Sequence, residues 1–520
     1  MPHRMRRTAC LIREEKMAQY RVRFFIMRLF ALVVVCAGLA VAGCAGVPSG
    51  PIAEEPEEPR QAWNPAIAIE PGGRIFVSYN GGLGGNKAEL LFNRSFDGGV
   101  TWLREPVRLY TLDLPKTPVQ YHQIITNGAG KVWVIWLTEK REMNYWKPQA
   151  VHVRMSPDRG ATWTEEQVTW RFENKSNYPS TVVGKKNEVA LLWTETSDLG
   201  SVPLVNRTTG DNMVWAPSPV PLPGLAPAEA SQKKESRREA HWPVVIVGPH
   251  GDFYTTWQEQ TPDLSTDILF NRSADHGQTW LPASIRLNTS LPGGHTSREP
   301  KITADGEGGV YVVWEDSRHN TSDLYFNRSL DGGATWLDQD VWLTAARPSM
   351  AAATQPILRT DRSGRLYLLW GDIREVPRSL YFTRSVNRGA NWLPEAIRLD
   401  RHGDKAIAWA PSLANDDEGH VYAAWWEGTG ETEGTIRFRR SADSGATWQE
   451  EQILDPKLGK EGPRFPVLKV DADGVVYVMW SSDRSGNYQL YLNRSTDHGQ
   501  TWLPEPRKLT GRPVGTPQGS

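Results

Sequence analysis

Residues 298–343 read "REPKITADGEGGVYVVWEDSRHNTSDLYFNRSLDGGATWLDQDVWL". Four short segments stand out in this stretch: "PKIT", "GVYVVW", "DLYFNRS" and "QDVWL". Each alternates apolar and polar side chains with a period of two, and turn-forming residues separate them, as in a run of half-buried strands. Four such strands make one small antiparallel sheet. A sheet of that size cannot bury both faces by itself, so it must stack against others.

The others are present. The box "S-x-D-x-G-x-x-W" occurs as "SFDGGVTW" at 95, "SPDRGATW" at 156, "SADHGQTW" at 273, "SLDGGATW" at 329, "SVNRGANW" at 385, "SADSGATW" at 441 and "STDHGQTW" at 495. "NRTTGDNMVW" at 206–215 keeps the length and the final Trp215 but has lost the Asp and Gly, and reads as a decayed eighth copy. Successive copies are 52 to 65 residues apart, the period of a propeller blade rather than of a helical solenoid. The second strand recurs independently as "RIFVSY", "KVWVIW", "EVALLW", "DFYTTW", "GVYVVW", "RLYLLW", "HVYAAW" and "VVYVMW". The expected fold is therefore an all-β β-propeller of four-stranded antiparallel blades. Eight blades are expected, with seven, or six plus extra units, as the alternative.

Turn chemistry explains the box: Asp accepts backbone N–H groups, Gly takes a positive φ, and Trp packs on the sheet. Asn387 replaces Asp in the sixth copy and still offers one acceptor oxygen. The "NRS" triplets match a glycosylation sequon, but the repeat assigns their Asn to strand three. Ring closure by packing of whole blades, without a shared strand, is the expectation.

Composition excludes some functions. The 59 basic and 60 acidic residues balance, which gives no field to attract nucleic acid. The N-terminus carries "RVRFFIMRLFALVVVCAGLAVAGC", basic residues before an apolar run that ends in a small-residue motif and Cys44. This resembles a bacterial lipoprotein signal, which implies lipidation of Cys44, removal of residues 1–43, and attachment to a membrane of the cell envelope, the outer membrane in preference to the inner. Residues 1–16 precede a better start at Met17 or Met27. Loss of Cys10 and Cys36 with the signal leaves no thiol for a disulfide or a nucleophile. Residues 44–61 read as an acidic, Pro-rich tether, 62–510 as the propeller with a Pro-rich insertion at 216–236, and 511–520 as a tail.

The strand order puts every box at one end of the ring and leaves the other end for a ligand. That second end is built from residues before strand one and after strand two. The first set supplies Trp63, Tyr121, His122, Tyr178, His241, Trp242, Arg298, Glu299, Gln355, Trp409, Arg464 and Phe465. The second supplies Glu195, Glu259, Glu315, Asp316, Arg318, Asp372, Arg374, Glu427, Asp483 and Arg484. Aromatic rings stack on sugar faces, carboxylates bind hydroxyls, and Arg grips an acidic substituent through two N–H groups. Trp63, Tyr121, His122, His241, Trp242, Gln355, Trp409, Phe465, Asp483 and Arg484 are the expected ligand contacts.

The box resembles the Asp box, or BNR repeat, of sialidases and related propellers, over essentially all of 62–510. That resemblance implies a sialidase-like glycoside hydrolase with three arginines for a substrate carboxylate, an Asp as acid/base and a Tyr activated by Glu. The positions available are Arg298 and Arg464 with Arg318, Arg374 or Arg484; Asp316 or Asp372; and Tyr178 with Glu299 or Glu259. The family's "F/Y-R-I-P" signature is replaced by "SREP" and "RFPV". Two readings stay open: a propeller that binds glycans, with or without hydrolysis, and a non-catalytic scaffold for envelope proteins. A monomer is expected, with no cofactor and no metal; "DADG" at 471 and "DDEG" at 416 read as turns rather than calcium loops.

Overall fold

The structure is a computed structural model. It describes residues 61–84, 87–113, 121–142, 145–172, 179–197, 200–208, 213–225, 238–260, 265–290, 295–345, 352–373, 378–401, 406–429, 434–455, 463–484 and 486–509. The expected signal, Cys44 and its tether, together with Tyr178 and Arg374, lie outside the described residues.

The fold is an all-β propeller. Among the described residues, 32 strands form eight consecutive antiparallel units of four, spanning 61–113, 121–171, 180–221, 238–286, 297–342, 353–398, 407–455 and 464–508. They make seven hydrogen-bonded sheets, because the third and fourth units are joined by a short parallel pairing, Gly200 with Arg238 and Ser201 with Glu239. The first strands of successive units lie side by side right round the ring and face the axis. Second strands are the most deeply buried; Val310–Asp316 and Val476–Ser482 have no exposed residue.

Eight apolar cores hold the ring, each shared by two neighbouring units. One joins Phe76 and Leu90 of the first unit to Val134 and Trp136 of the second. The last joins Tyr477, Met479 and Leu492 of the eighth unit to Ile67, Val77 and Tyr79 of the first. Ala62 N–H also bonds Tyr488 C=O at 2.7 Å. Among the described residues the ring thus closes by packing of whole units, with no strand exchanged.

The box does more than turn the chain. Its Asp accepts as expected: in the fifth unit the Thr335 N–H and hydroxyl and the Ser329 hydroxyl all donate to Asp331. These bonds hold the carboxyls of Asp97, Asp331 and Asp497 down to about 2 even though nearby chain partly desolvates them. The box glycine has φ of 77–85° in all seven intact copies. The box Trp, however, packs on the preceding unit. Trp336 meets Phe270 edge-on at 4.8 Å, and Trp163, Trp392, Trp448 and Trp502 repeat that contact. In return, the Arg before the box Ser reaches forward to box carbonyls of the next unit, Arg272 of "NRS" to Gly332 at 2.7 Å and Arg440 of "RRS" to His498 at 2.6 Å. Arg494 does the same to Gly98 at 2.9 Å across the closing seam. The "NRS" Asn is buried and takes the N–H of the Leu that follows the box Trp, as between Asn327 and Leu337.

One stretch departs from the sequence reading. Within the proposed insertion 216–236, Val220–Pro221 is the fourth strand of the third unit and Leu222 enters the core. An outer edge strand tolerates proline, so Pro content concealed a strand.

Candidate functional site

The boxes lie beside the turns between first and second strands, as Gly332 N–H to Gly308 C=O shows. The opposite end carries the starts of first strands, where Ser297 pairs with Asp316. There the chain repeats an unusual feature. Asn64, Trp242, Glu299, Gln355, Ala410 and Phe465 all have φ between 48° and 56°, and each precedes a proline. Each sits in a β-bulge, with register shifts such as Arg298/Lys301 and Arg464/Val467. A left-handed conformation is uncommon for residues other than glycine, and the following proline restricts it further. Such conformations cost about 1–3 kcal/mol each and persist where the surroundings enforce them. The bulge re-aims side chains that a regular strand would point into the sheet. Trp242 is 51% exposed and Phe465 56% as a result.

Side chains from second strands hold these bulges across the seams. Gln258 accepts the Glu299 N–H at 3.1 Å, and Glu315 accepts the Gln355 N–H at 2.7 Å. The other oxygen of Glu315 takes Arg298 Nε at 3.0 Å and the Ser322 hydroxyl at 3.2 Å. Beyond it lies Arg378, which sequence reasoning missed. Its guanidinium donates to Gln355 Oε1 at 2.8 Å and lies 4.4 Å over the Trp409 ring of the next unit. Burial pulls Arg378 down to about 10, while the Glu315 and Asp372 carboxylates act the other way. It fits because Gly371 has no side chain; a Cβ there would occupy the guanidinium's place. Gly371, following the second-strand Trp where the fifth unit has Glu315, was the signal that could have revealed it.

The remaining expected residues divide. Trp63, Tyr121, His241, Glu299, Gln355, Trp409 and Arg464 are half-buried at this end, the last 6.0 Å from the Tyr488 ring. His122 is buried instead, its Nε2–H on Ser78 C=O at 3.2 Å, and burial holds it down to about 4. Four of the carboxylates two residues after a second-strand Trp serve that indole: Trp257 donates to Glu259, Trp314 to Asp316, Trp370 to Asp372 and Trp425 to Glu427, at 3.0–3.3 Å, whereas Glu195 accepts from Trp170 at 3.2 Å. Asp316 is also bridged by Arg318, which keeps it ionised against its burial and makes it a poor proton donor. Arg318 lies over Tyr325 of the third strand and reaches Asp340 beside the fourth, away from Arg298 on the first. Arg484 repeats the pose on Tyr491 and bonds Asp455. Asp483 is buried in the same loop. Arg298, Arg318 and Arg484 are therefore each engaged by a separate carboxylate.

At the box end, Asp416, His420 and His498 bring potential metal-ligating atoms within 4.8 Å of one another. Asp416 itself caps its turn through the Glu418 and His420 N–H groups, and Asp471 does so through those of Asp473 and Val475. No helix among the described residues is long and apolar enough to cross a membrane.

No protein-family model matches the chain, and no curated protein matches it. Among solved structures, a polysaccharide lyase of family PL25, an ulvan lyase, is similar at 10% identity with a TM-score of 0.45, covering 73% of this chain and 91% of its own. The GH93 α-L-arabinofuranosidase of Fusarium graminearum is similar at 14% identity and 0.37, covering 62% and 92%. A Hadza microbial sialidase is similar at 16% identity and 0.36, covering 67% and 72%. Likenesses this distant carry no argument about activity.

Proposed function

We propose that this protein is a lipid-anchored propeller of the cell envelope that binds glycans at the bulge end of its first strands. The observation that carries this reading is the series of pre-proline residues at positive φ, which holds Trp242 and Phe465 out to solvent at the end that also carries the half-buried Glu299 and Gln355. Exposed aromatics offer faces for sugar rings, and the Gln355 amide and Glu299 carboxylate at the same end offer partners for hydroxyls. Sialidase-type hydrolysis is the weaker form of the reading. It needs arginines that converge on one carboxylate, whereas Arg298, Arg318 and Arg484 each have their own acid.

A glycan array probed with the full-length protein tests the binding. Bound glycans that are lost on the double substitution Trp242→Ala, Phe465→Ala support it; an empty array, or binding indifferent to that substitution, overturns it. Release of sugar from a fluorogenic sialoside would restore the hydrolytic form. Incorporation of labelled fatty acid that disappears in Cys44→Ala checks the anchor.

A further inference from the structure

The second and fifth units use the same niche in opposite ways. Pairing aligns them residue for residue: Trp136 faces His152 as Trp314 faces Tyr325, and Thr138 faces Ala150 as Asp316 faces Asp323. His152 faces Val168 as Tyr325 faces Trp342, which sets Glu166 where the fifth unit has Asp340. In the fifth unit the niche is plugged from within. The Arg318 guanidinium lies 3.8 Å over Tyr325 and bridges Asp316 and Asp340 at 2.8 Å each.

In the second unit, among the described residues, the niche is open. A cavity of about 530 Å³ is lined by Lys140, Lys147 and Arg171, with Tyr110 of the first unit on its wall. Its floor is a fixed relay. His152 stacks on Trp136 at 5.4 Å, its Nδ1 lies 2.7 Å from Glu166 Oε1, and its Nε2 lies 2.9 Å from the Thr138 hydroxyl. The carboxylate fixes the proton on Nδ1, so Nε2 accepts from Thr138. Burial and nearby Arg171 favour the neutral ring, although Glu166 pulls the other way. The charge pattern is thus inverted relative to the fifth unit. There, two carboxylates enclose one internal cation; here, three cationic side chains line an opening whose one carboxylate among the described residues, Glu166, bonds His152.

We infer that this cavity is a binding site for a hydroxylated ring bearing an oxyanion, the chemistry of a uronate or of a sulfated sugar. The anion meets Lys140, Lys147 and Arg171, and the ring lies against Tyr110. The inference does not depend on the glycan reading of the first-strand bulges, which rests on Trp242 and Phe465 of the fourth and eighth units.

Titration calorimetry of the full-length protein with glucuronate tests it, with glucose as the neutral counterpart and inorganic sulfate as the bare anion. Glucuronate is expected to bind, to weaken as salt is added, and to lose at least tenfold in affinity in Lys140→Met, Arg171→Met. Both side chains are exposed, so that variant keeps the fold. Trp242→Ala, Phe465→Ala leaves the affinity unchanged, which separates this site from those aromatics on the fourth and eighth units. The Nδ1 proton resonance of His152 shifts on saturation. The idea is overturned by glucuronate affinity that survives the double substitution, by glucose binding as tightly as glucuronate, or by no binding of glucuronate. Sulfate that binds more tightly than glucuronate removes the sugar ring from the proposal.

Discussion

The two ends of the ring follow different rules. At the box end the same few bonds recur unit after unit: hydroxyl and amide donors on Asp, a glycine at positive φ, Trp on the neighbour's Phe, and Arg on the neighbour's carbonyls. At the bulge end the backbone deviation repeats, but the residue that occupies it changes from Asn64 to Trp242, Glu299, Gln355, Ala410 and Phe465. Uniform chemistry on a uniform backbone builds seams. Varied chemistry on a uniform, strained backbone is what the proposed binding role would use.

That contrast can be broken most directly at a seam. Trp336→Ala removes an indole wedged on Phe270 and should cost about 3 kcal/mol or more of unfolding free energy in denaturant titration. Trp242→Ala, half exposed at the other end, should cost well under 1 kcal/mol. Comparable losses would abolish the distinction between the ends.

His122 tests the boundary between them. Its ordinary value is 6.5 and burial lowers it to about 4, so the folded ring accommodates only the neutral imidazole. As pH falls below 6.5 the unfolded chain takes up the proton first, and stability should decline until about pH 4, where it levels. The full loss is about 3 kcal/mol at 1.36 kcal/mol per unit. In His122→Gln the part of the acid sensitivity between those pH values should vanish; an unchanged profile assigns it to other groups.

The smallest effect concerns the strain itself. Phe465→Gly relieves a φ of 52° at an exposed residue and should raise stability by about 1 kcal/mol while weakening glycan binding. A protein destabilised by this change would mean that Phe465 serves packing after all.

The repeat made the architecture readable, because second strands such as "GVYVVW" and the boxes mark each unit twice. The seam function of the box was less accessible: an Asp–Gly turn is local, whereas the contact of Trp336 with Phe270 joins positions a whole unit apart. The indole-capping carboxylates could have been found. Residues i and i+2 of a strand share a face, so "W-x-D" and "W-x-E" place an acid beside a buried N–H. His122 was misjudged because proximity to the strand start outweighed alternation; in Tyr121–Thr126 the second and fourth residues point inward. Arg378 lay outside every motif and was marked only by Gly371.

Closure without an exchanged strand has a consequence for how such a chain can be rearranged. The seam between the last and first units is made of the same contacts as the others: a shared apolar core and an arginine on box carbonyls. Nothing in the ring requires the polypeptide to start where it does. A circular permutant opened at another connection between units, with its original ends joined by a linker, should fold to the same ring.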